Sequence, residues 1–216
     1  SIYHVADQTG TFGVLRLVNP YRKRTPPGPQ LPYVLLKPAL RLQREWEAYG
    51  SGARAGLTPR PLWRASDALL CEYLPYRPLQ DLLLKDPASA WDLLLRASQA
   101  LHALHQSGVT HMDASLANML ADPGQTRIVL IDFEYAPAAD LSFAEQKVYD
   151  HLRLLESTWK FIRPGDRAAS QRWLDSVSAA FDEEMRRVSL HRLEPALGRI
   201  LSHPDIAGPL KRLFNQ

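Results

Sequence analysis

One short polar segment constrains the fold of this 216-residue chain more than any other feature. Residues 111–118 (HMDASLAN) follow an amphipathic helix pattern and precede a β-type run at residues 127–133 (RIVLIDF). Asp113 and Asn118 belong to the segment, and Asp132 lies near the end of the β run. Asp and Asn are common in ordinary turns, where they have no chemical role. A loop between a helix and a strand would nevertheless bring these three side chains together, which predicts a functional site.

The three side chains have the chemistry that phosphoryl transfer requires. Mg²⁺ prefers oxygen ligands, which the carboxylate of Asp132 and the amide oxygen of Asn118 can supply. Asp113 could orient an attacking hydroxyl group or accept its proton. Because the reaction depends on positioning and charge stabilisation, a rigid loop with these groups favours a phosphotransferase.

Hydrophobic patterns divide the chain near residues 75–80. β-type runs dominate the first third and helical periodicity dominates the rest, so we predict an α+β fold. The length suits one domain, or one compact unit with two lobes. The predicted strands are residues 2–6, 13–18, 61–65, 68–74 and 127–133, and the predicted helices are residues 39–55, 89–106, 143–163, 167–188 and 190–203.

Composition excludes several classes of protein. A hydrophobic fraction of 45% and a charged fraction of 23% exclude wholesale disorder and coiled-coil rods. The net charge of +3 permits an anionic partner without requiring one. Cys71 is the only cysteine, which excludes an intramolecular disulfide and favours a reducing compartment. No apolar run approaches the ~20 residues of a membrane span. The first ten residues lack a signal-peptide pattern, so we expect a cytoplasmic protein.

The polar segment and the end of the β run resemble motifs of the protein-kinase-like superfamily. His111, Asp113 and Asn118 match its H-R-D-x₄-N catalytic loop, and residues 132–134 (DFE) match its D-F-G, with Glu in place of Gly. The resemblance covers most of the chain. It is strongest to the small atypical branch that includes lipopolysaccharide-core (heptose and Kdo) kinases and RIO-type kinases.

Two further stretches carry the resemblance to that branch. Residues 44–59 are similar to its R-E … A-G-V-P-x-P pattern, and residues 147–156 are similar to its K-x-V-D-L … L-E helix. Residues 131–136 (IDFEYA) are also similar to choline-kinase-like enzymes, which leaves the acceptor open.

The resemblance implies a two-lobed protein-kinase-like fold with ATP and Mg²⁺ as cofactors. The chain would form one kinase-like domain over residues 1–216, with a reduced β-rich N-lobe at residues 1–75 and a helical C-lobe at residues 79–216.

The resemblance also implies roles for the residues of the loop. Asp113 would be the catalytic aspartate, with Asn118 completing the catalytic pair, and Asn118 and Asp132 would hold Mg²⁺. His111 would have a structural role beneath the loop. Asp150 would anchor the loop from the next helix, although its place opposite the apolar stripe of that helix equally fits a solvated aspartate.

Glu45 on the first helix would pair with a basic residue that reaches the ATP phosphates. Arg16 lies in a β-type run, and its planar guanidinium can grip phosphate oxygens. Lys37 resembles the lysine of V-A-I-K, but it precedes Glu45 by only eight residues. We therefore favour Arg16 and keep Lys37 as the alternative, and Glu47 is the fallback for Glu45.

The run at residues 69–74 (LLCEYL) resembles the linker between kinase lobes. The backbone groups of Glu72 and Leu74 would hydrogen-bond adenine there. An edge strand that continues into a loop would have the same pattern, so this role depends on the fold.

The chain departs from the superfamily in three places. It has no G-x-G-x-x-G, and Gly10 and Gly13 better suit a hairpin turn, so the phosphate-binding lid either precedes Ser1 or is degenerate. Residues 133–149 are too few for a long activation segment and a peptide-docking platform. Ser115 also stands where protein-Ser/Thr kinases often have a loop lysine.

These features together predict ATP- and Mg²⁺-dependent phosphoryl transfer to a hydroxyl group. We expect a sugar or lipopolysaccharide-core glycolipid as acceptor. An atypical Ser/Thr protein kinase and a nucleotide-binding pseudokinase scaffold are the alternatives. Basic residues could also contact an anionic membrane peripherally at the inner face of the cytoplasmic membrane, or form a solvated surface. They are residues 22–24 (RKR), Arg186, Arg187, Arg192, Arg199, Lys211 and Arg212. No feature points directly to nucleic acid.

Overall fold

The computed structural model describes residues 1–19, 21, 25–162 and 165–214 of the chain. The main antiparallel sheet forms from residues before position 73, and all long helices but one follow position 78, as the patterns predicted. The basic run at residues 22–24, a candidate membrane contact, lies outside the described residues. The limits that we predict for the single domain and its lobes stay a prediction.

The N-terminal lobe is a four-stranded antiparallel sheet with one helix packed against it. Its elements are β1 (Ile2–Asp7), β2 (Gly10–Leu17), β3 (Tyr33–Leu35), α1 (Pro38–Gly52), β4 (Pro61–Arg64) and β5 (Ala68–Glu72). The sheet has the order β1-β2-β5-β4, and β3 stands apart from it. Leu42 and Tyr49 of α1 share a core with Leu69 and Cys71 of β5.

The β1–β2 hairpin explains both glycines near the start of the chain. At its turn, the backbone N and Oγ1 of Thr9 donate to Oδ1 of Asp7 at 2.7 and 2.6 Å, and Gly10 has a φ of +120°. A Cβ atom at Gly13 would lie 2.9 Å from Cδ1 of Leu70 in β5, so a larger residue there would require the Leu70 side chain to shift. The prediction of a hairpin turn is confirmed.

The C-terminal lobe is helical, with short strands around the polar loop. Its elements are β6 (Arg77–Pro78), α2 (Leu79–Lys85), α3 (Ala90–Gln106), β7 (Met119–Ala121), β8 (Ile128–Leu130), β9 (Tyr135–Pro137), α4 (Phe143–Thr158), α5 (Arg167–Ala180), α6 (Glu183–Arg186), α7 (Glu194–Leu201) and α8 (Pro204–Leu213). Helices α3 and α4 pack against each other in the centre of the lobe. Residues 148–152 of α4 are all fully buried, so the middle of this helix is enclosed on every side.

Two of the predicted helices are shorter or divided in the structure. The helix expected at residues 167–188 ends at Ala180 because Phe181 is extended and buried, and Asp182 then starts α6 by accepting a bond from the Met185 amide at 2.8 Å. The helix expected at residues 190–203 begins at Glu194, since Pro195 suits only a first turn. Helix α8 was not predicted, and it contains Pro209 in its interior.

Backbone and side-chain hydrogen bonds join the lobes around the polar loop. Strands β3 and β9 pair antiparallel, with Val34 opposite Ala136. The Leu130 amide donates to the Leu57 carbonyl at 2.8 Å. Nη2 of Arg44 in α1 donates to the carbonyl of Thr110 at 2.8 Å, immediately before the loop. Residues before the polar loop, in β8 and in β9 are therefore all hydrogen-bonded to the N-terminal lobe.

His151 lies in the core of α4 as a neutral group. It has no exposed surface, and neither of its ring nitrogens has a hydrogen-bond partner in the described part of the chain. Burial, followed by the nearby His105 and His102, lowers the pKa of His151 well below 6.5. The folded state therefore excludes a proton that the unfolded chain binds below pH 6.5.

This difference predicts a loss of stability in acid. As the pH falls below 6.5, the free energy of unfolding should decrease by up to about 1.4 kcal/mol per pH unit from this residue, because only the unfolded state takes up its proton. Urea unfolding between pH 7 and 5 measures the slope. His151→Leu should reduce the slope, whereas His191→Gln at an exposed position should leave it unchanged. Equal slopes for all three proteins would contradict the assignment.

Candidate active site

The polar loop brings Asp113 and Asn118 into direct contact. Nδ2 of Asn118 donates to the carbonyl and to Oδ2 of Asp113, both at 3.0 Å. This fixes the amide so that its oxygen points away from Asp113. The Ile131 amide donates to the carbonyl of Asn118 at 2.9 Å, and Ile131 directly precedes Asp132. The loop and the end of the β8 segment are therefore joined at the three predicted residues.

Asp150 anchors the loop from α4, which decides between the two interpretations of this residue. It has no exposed surface, and its two oxygens accept the amides of His111 and Met112, each at 2.7 Å. His105 lies 3.0 Å from the same carboxylate. The amphipathic pattern of α4 was misleading here because the middle of the helix is buried on all sides.

His111 has the structural role that we expected. Its Nδ1 accepts the Asp113 amide at 3.3 Å, so Nε2 carries the proton and donates to the Ile131 carbonyl at 2.9 Å. Its ring also packs against Phe133, with the centroids 4.4 Å apart. His111 thus holds the loop against the segment that carries Asp132.

Two residues of the site have left-handed backbone conformations. Met112 has a φ of 65° and Asp132 a φ of 69°, which is uncommon for residues other than glycine. Such conformations persist where neighbouring contacts over-determine them, as the Asp150 carboxylate does for Met112. They turn the chain sharply on both sides of the candidate site.

Arg16 connects the N-terminal lobe to Asp132. Its Nη1 donates to Oε1 of Glu45 in α1, and its Nη2 donates to Oδ1 of Asp132 at 2.6 Å. The hydroxyl of Tyr49 also donates to Oε1 of Glu45 at 2.5 Å, and it accepts the Asp132 amide at 3.4 Å. One strand, one helix and the segment after β8 therefore meet at a single guanidinium group.

Burial and charge oppose each other in this cluster. Burial raises the pKa of Glu45 to about 7, against the effect of Arg16. Burial alone would lower the pKa of Arg16, but the carboxylates of Glu45 and Asp132 outweigh it and raise the pKa. Arg16 is therefore charged at every accessible pH. Burial also raises the pKa of Asp113, while the nearby Arg153 and His111 oppose the rise and the Asp132 carboxylate adds to it.

Arg16, rather than Lys37, contacts Glu45. Lys37 is exposed and directly precedes the first residue of α1, so about two helical turns separate it from Glu45. Glu47, the fallback for Glu45, is exposed and accepts a bond from Gln43 at 2.9 Å. The geometry thus supports the Arg16–Glu45 pair and gives no support to a phosphate-binding role for Lys37.

Glu72 and Leu74, the predicted adenine contacts, are half-buried at the end of β5. The Glu72 amide donates to the Arg60 carbonyl at 2.9 Å, and the Tyr73 amide donates to the Phe12 carbonyl at 2.9 Å. These bonds belong to the sheet and keep the linker extended. The contact of Glu72 and Leu74 with adenine stays a prediction.

The donor set at Asn118 and Asp132 fits a magnesium ion that is shared with a nucleotide. Mg²⁺ takes one or two protein oxygens, with waters and phosphate oxygens completing its shell. The oxygen of Asn118 is directed away from Asp113, and among the described residues the hydrogen bonds of the Asp132 side chain reach Oδ1 only. No cluster of three or more His, Cys, Asp or Glu ligands occurs in the described part of the chain. The described residues therefore supply only part of the ligands that a magnesium ion needs.

Sequence analysis missed two residues of this site. Tyr49 was not singled out, although it lies one turn after Glu45, where side chains of a helix meet. Arg153 was not singled out, although Nη2 of Arg153 donates to Oδ1 of Asp113 at 3.1 Å. Its signal was its position three residues after Asp150, on the same side of α4.

The buried Asp150 carboxylate predicts a large effect of its removal. Asp150→Asn should lower the free energy of unfolding by about 3 kcal/mol, because the new amide group would face backbone donors. The matched control is Asp182→Asn, whose carboxylate pairs with Lys147 at 2.9 Å and is half exposed. The control should lose less than about 1 kcal/mol. Equal losses in urea unfolding would contradict the anchoring role of Asp150.

Comparison with known proteins identifies the fold. No protein-family model and no curated protein matches the chain. Its structure is similar to a choline/ethanolamine kinase family protein from Mesorhizobium loti, with 14% identity, a TM-score of 0.53, and coverage of 100% of this chain and 93% of that one.

Two kinase domains give lower scores. The PknI kinase domain of Mycobacterium tuberculosis is 17% identical, with a TM-score of 0.47 and coverage of 92% of this chain and 95% of that one. The kinase domain of the maize sucrose-induced receptor kinase 1, bound to AMP-PNP, is 14% identical, with a TM-score of 0.49 and coverage of 99% and 88%. Identities this low are informative about fold alone, and the first match carries the assignment. The chain has the expected protein-kinase-like fold, with a small sheet-rich N-lobe and a helical C-lobe.

Proposed function

We propose that this protein is a kinase that transfers the γ-phosphate of ATP to a hydroxyl group in a Mg²⁺-dependent reaction. The observation that carries the proposal is the convergence of Asp113, Asn118 and Asp132 beside the Arg16–Glu45 pair. These contacts support a site in which Asp113 orients the acceptor, Asn118 and Asp132 hold a metal, and Arg16 supplies the positive charge. The protein-kinase-like fold supports the same reaction.

Each residue has a distinct part in this proposal. Asn118 and Asp132 would hold Mg²⁺, which neutralises the charge of the phosphates when bound. Arg16 would contact the α- and β-phosphates from β2, held in place by Glu45 and Tyr49. Asp113 would accept a hydrogen bond from the acceptor hydroxyl and align it with the γ-phosphorus. Glu72 and Leu74 would contact adenine.

A small-molecule or glycolipid acceptor agrees best with the short segment after Asp132. Strand β9 begins at Tyr135 and α4 begins at Phe143, and Ser142 and Glu145 cap α4 reciprocally. This ordered connection leaves little chain for a peptide-docking platform. We therefore propose a sugar or lipopolysaccharide-core glycolipid as acceptor, with a protein hydroxyl as the second candidate.

Peripheral contact with an anionic membrane has less support. Several of the basic residues near the C-terminus are paired within the chain: Arg187 with Glu183, Arg192 with Asp140 and Glu145, and Arg199 with Glu156. These pairs reduce the positive charge that a lipid headgroup would meet. No described helix is long and apolar enough to span a bilayer.

Metal-dependent nucleotide binding tests the site before any acceptor is known. ATP with Mg²⁺ should raise the melting temperature of the wild type, and ATP alone should raise it less. Asp132→Asn should lose the Mg²⁺-dependent part, because a neutral amide holds the ion weakly. Asp175→Asn, at an exposed position on α5, should behave like the wild type. A wild-type protein that shows no shift would instead be a scaffold without nucleotide.

Phosphoryl transfer should depend on Asp113 without a matching loss of nucleotide affinity. Asp113→Asn should reduce transfer by about 10²-fold or more, since it removes the group that orients the acceptor. Radiolabel from ATP into glycolipid extracts, compared with radiolabel into protein, measures the transfer and separates the two acceptors. Label that appears only in protein would favour the atypical protein kinase.

A further inference from the structure

Arg153 is a cation beside the candidate catalytic aspartate that the proposed function does not yet use. Its Nη2 lies 3.1 Å from Oδ1 of Asp113, and the two side chains are 27% and 26% exposed. Both side chains are therefore partly accessible from solvent. In the described part of the chain, Asp113 is the only hydrogen-bond partner of the Arg153 side chain. A guanidinium has five N–H donors, so four remain for a bound group.

The position of Arg153 is fixed by the contacts that hold the loop. Arg153 follows Asp150 by three residues on α4, and helix neighbours at this spacing project to the same side. Asp150 is bonded to the His111 and Met112 amides, so α4 and the loop have one relative placement. The guanidinium is thus held near Asp113 by a buried helix rather than by a mobile surface segment.

Arg16 does not supply the positive charge that phosphoryl transfer needs on the side of Asp113. Phosphoryl transfer develops negative charge on the oxygens of the moving group, which fixed cations stabilise. The loop at residues 111–118 contains no Lys or Arg. Arg16 donates to Glu45 and Asp132, on the side of the site toward α1. Arg153 is the basic residue on the side of Asp113.

We propose that Arg153 is a further catalytic residue, which contacts the γ-phosphoryl group during its transfer. This inference rests on the proposed function. The acceptor oxygen bonds to the γ-phosphorus while the bond to the β–γ bridging oxygen breaks, and ADP leaves with that electron pair. The hydroxyl proton passes to Asp113 or to solvent. Arg153 donates hydrogen bonds to the oxygens that gain charge, and its contact with Asp113 keeps it aligned.

Fluoroaluminate with ADP tests this role without an identified acceptor. It mimics the transferred group, so it should add a thermal shift beyond that of ADP with Mg²⁺ in the wild-type full chain. In Arg153→Gln the shift from ADP and Mg²⁺ should persist, and the extra shift should disappear. Arg153→Lys should keep part of the extra shift, because the lysine ammonium group still supplies a point charge. Arg192→Gln, which also removes an arginine from carboxylate pairs, should match the wild type.

The rate of ATP hydrolysis, with water as acceptor, gives a second readout. Arg153→Gln should lower kcat by about 10²-fold and leave KM for ATP nearly unchanged, because the contact strengthens in the transition state. An extra fluoroaluminate shift as large in Arg153→Gln as in the wild type would overturn the inference, as would its absence from the wild type. No stabilisation of the wild type by ADP and Mg²⁺ would instead overturn the proposed function, and the inference with it.

Discussion

The carboxylate of Asp150 lies inside the C-terminal lobe with no exposed surface, and the geometry of the candidate site depends on it. A buried charge is costly unless donors surround it, and here the His111 and Met112 amides and His105 do so. In return, the carboxylate holds Met112 in a left-handed conformation that would otherwise be unfavourable. The buried core of the lobe therefore determines the direction in which the chain continues from Met112 to Asp113.

Arg16 fixes the geometry between the lobes, as Asp150 fixes the geometry of the loop. A guanidinium fork can satisfy two carboxylates at once, and Glu45 and Asp132 approach it from different elements. Tyr49 completes the cluster by donating to Glu45 while it accepts the Asp132 amide. Because Glu45 is almost fully buried, the loss of Arg16 would remove the cation that opposes the rise of its pKa and would leave a buried carboxyl group without its ionic partner. The pair is thus a structural element of the cleft as well as a candidate phosphate contact.

The sequence was informative where a short stretch of chain carries the chemistry. Asp113, Asn118 and Asp132 could be predicted to meet because a loop and the segment directly after the neighbouring strand contain all three. The choice of Arg16 over Lys37 followed from chain length, since the eight residues from Lys37 to Glu45 leave little chain to cross from a strand to the helix.

Other parts required knowledge of packing that periodicity cannot give. Arg153 is forty residues from Asp113 in sequence, and only the burial of α4 brings them together. Asp150 looked solvated because the middle of α4, enclosed on every side, has no polar face to reveal. The end of α5 at Ala180 was missed because Phe181 is drawn into the core, a tertiary effect that outweighs local propensity.

The pairing of β3 with β9 has a mechanical consequence for the cleft. Strand β3 leads directly into α1, and β9 begins three residues after Asp132, so one ladder links the segments that carry Glu45 and Asp132. A rotation that separates the lobes must either break the hydrogen bonds of this ladder or move the carboxylates of Glu45 and Asp132 together. If the protein binds a nucleotide as we propose, its entry and departure would depend on the hydrogen bonds between β3 and β9.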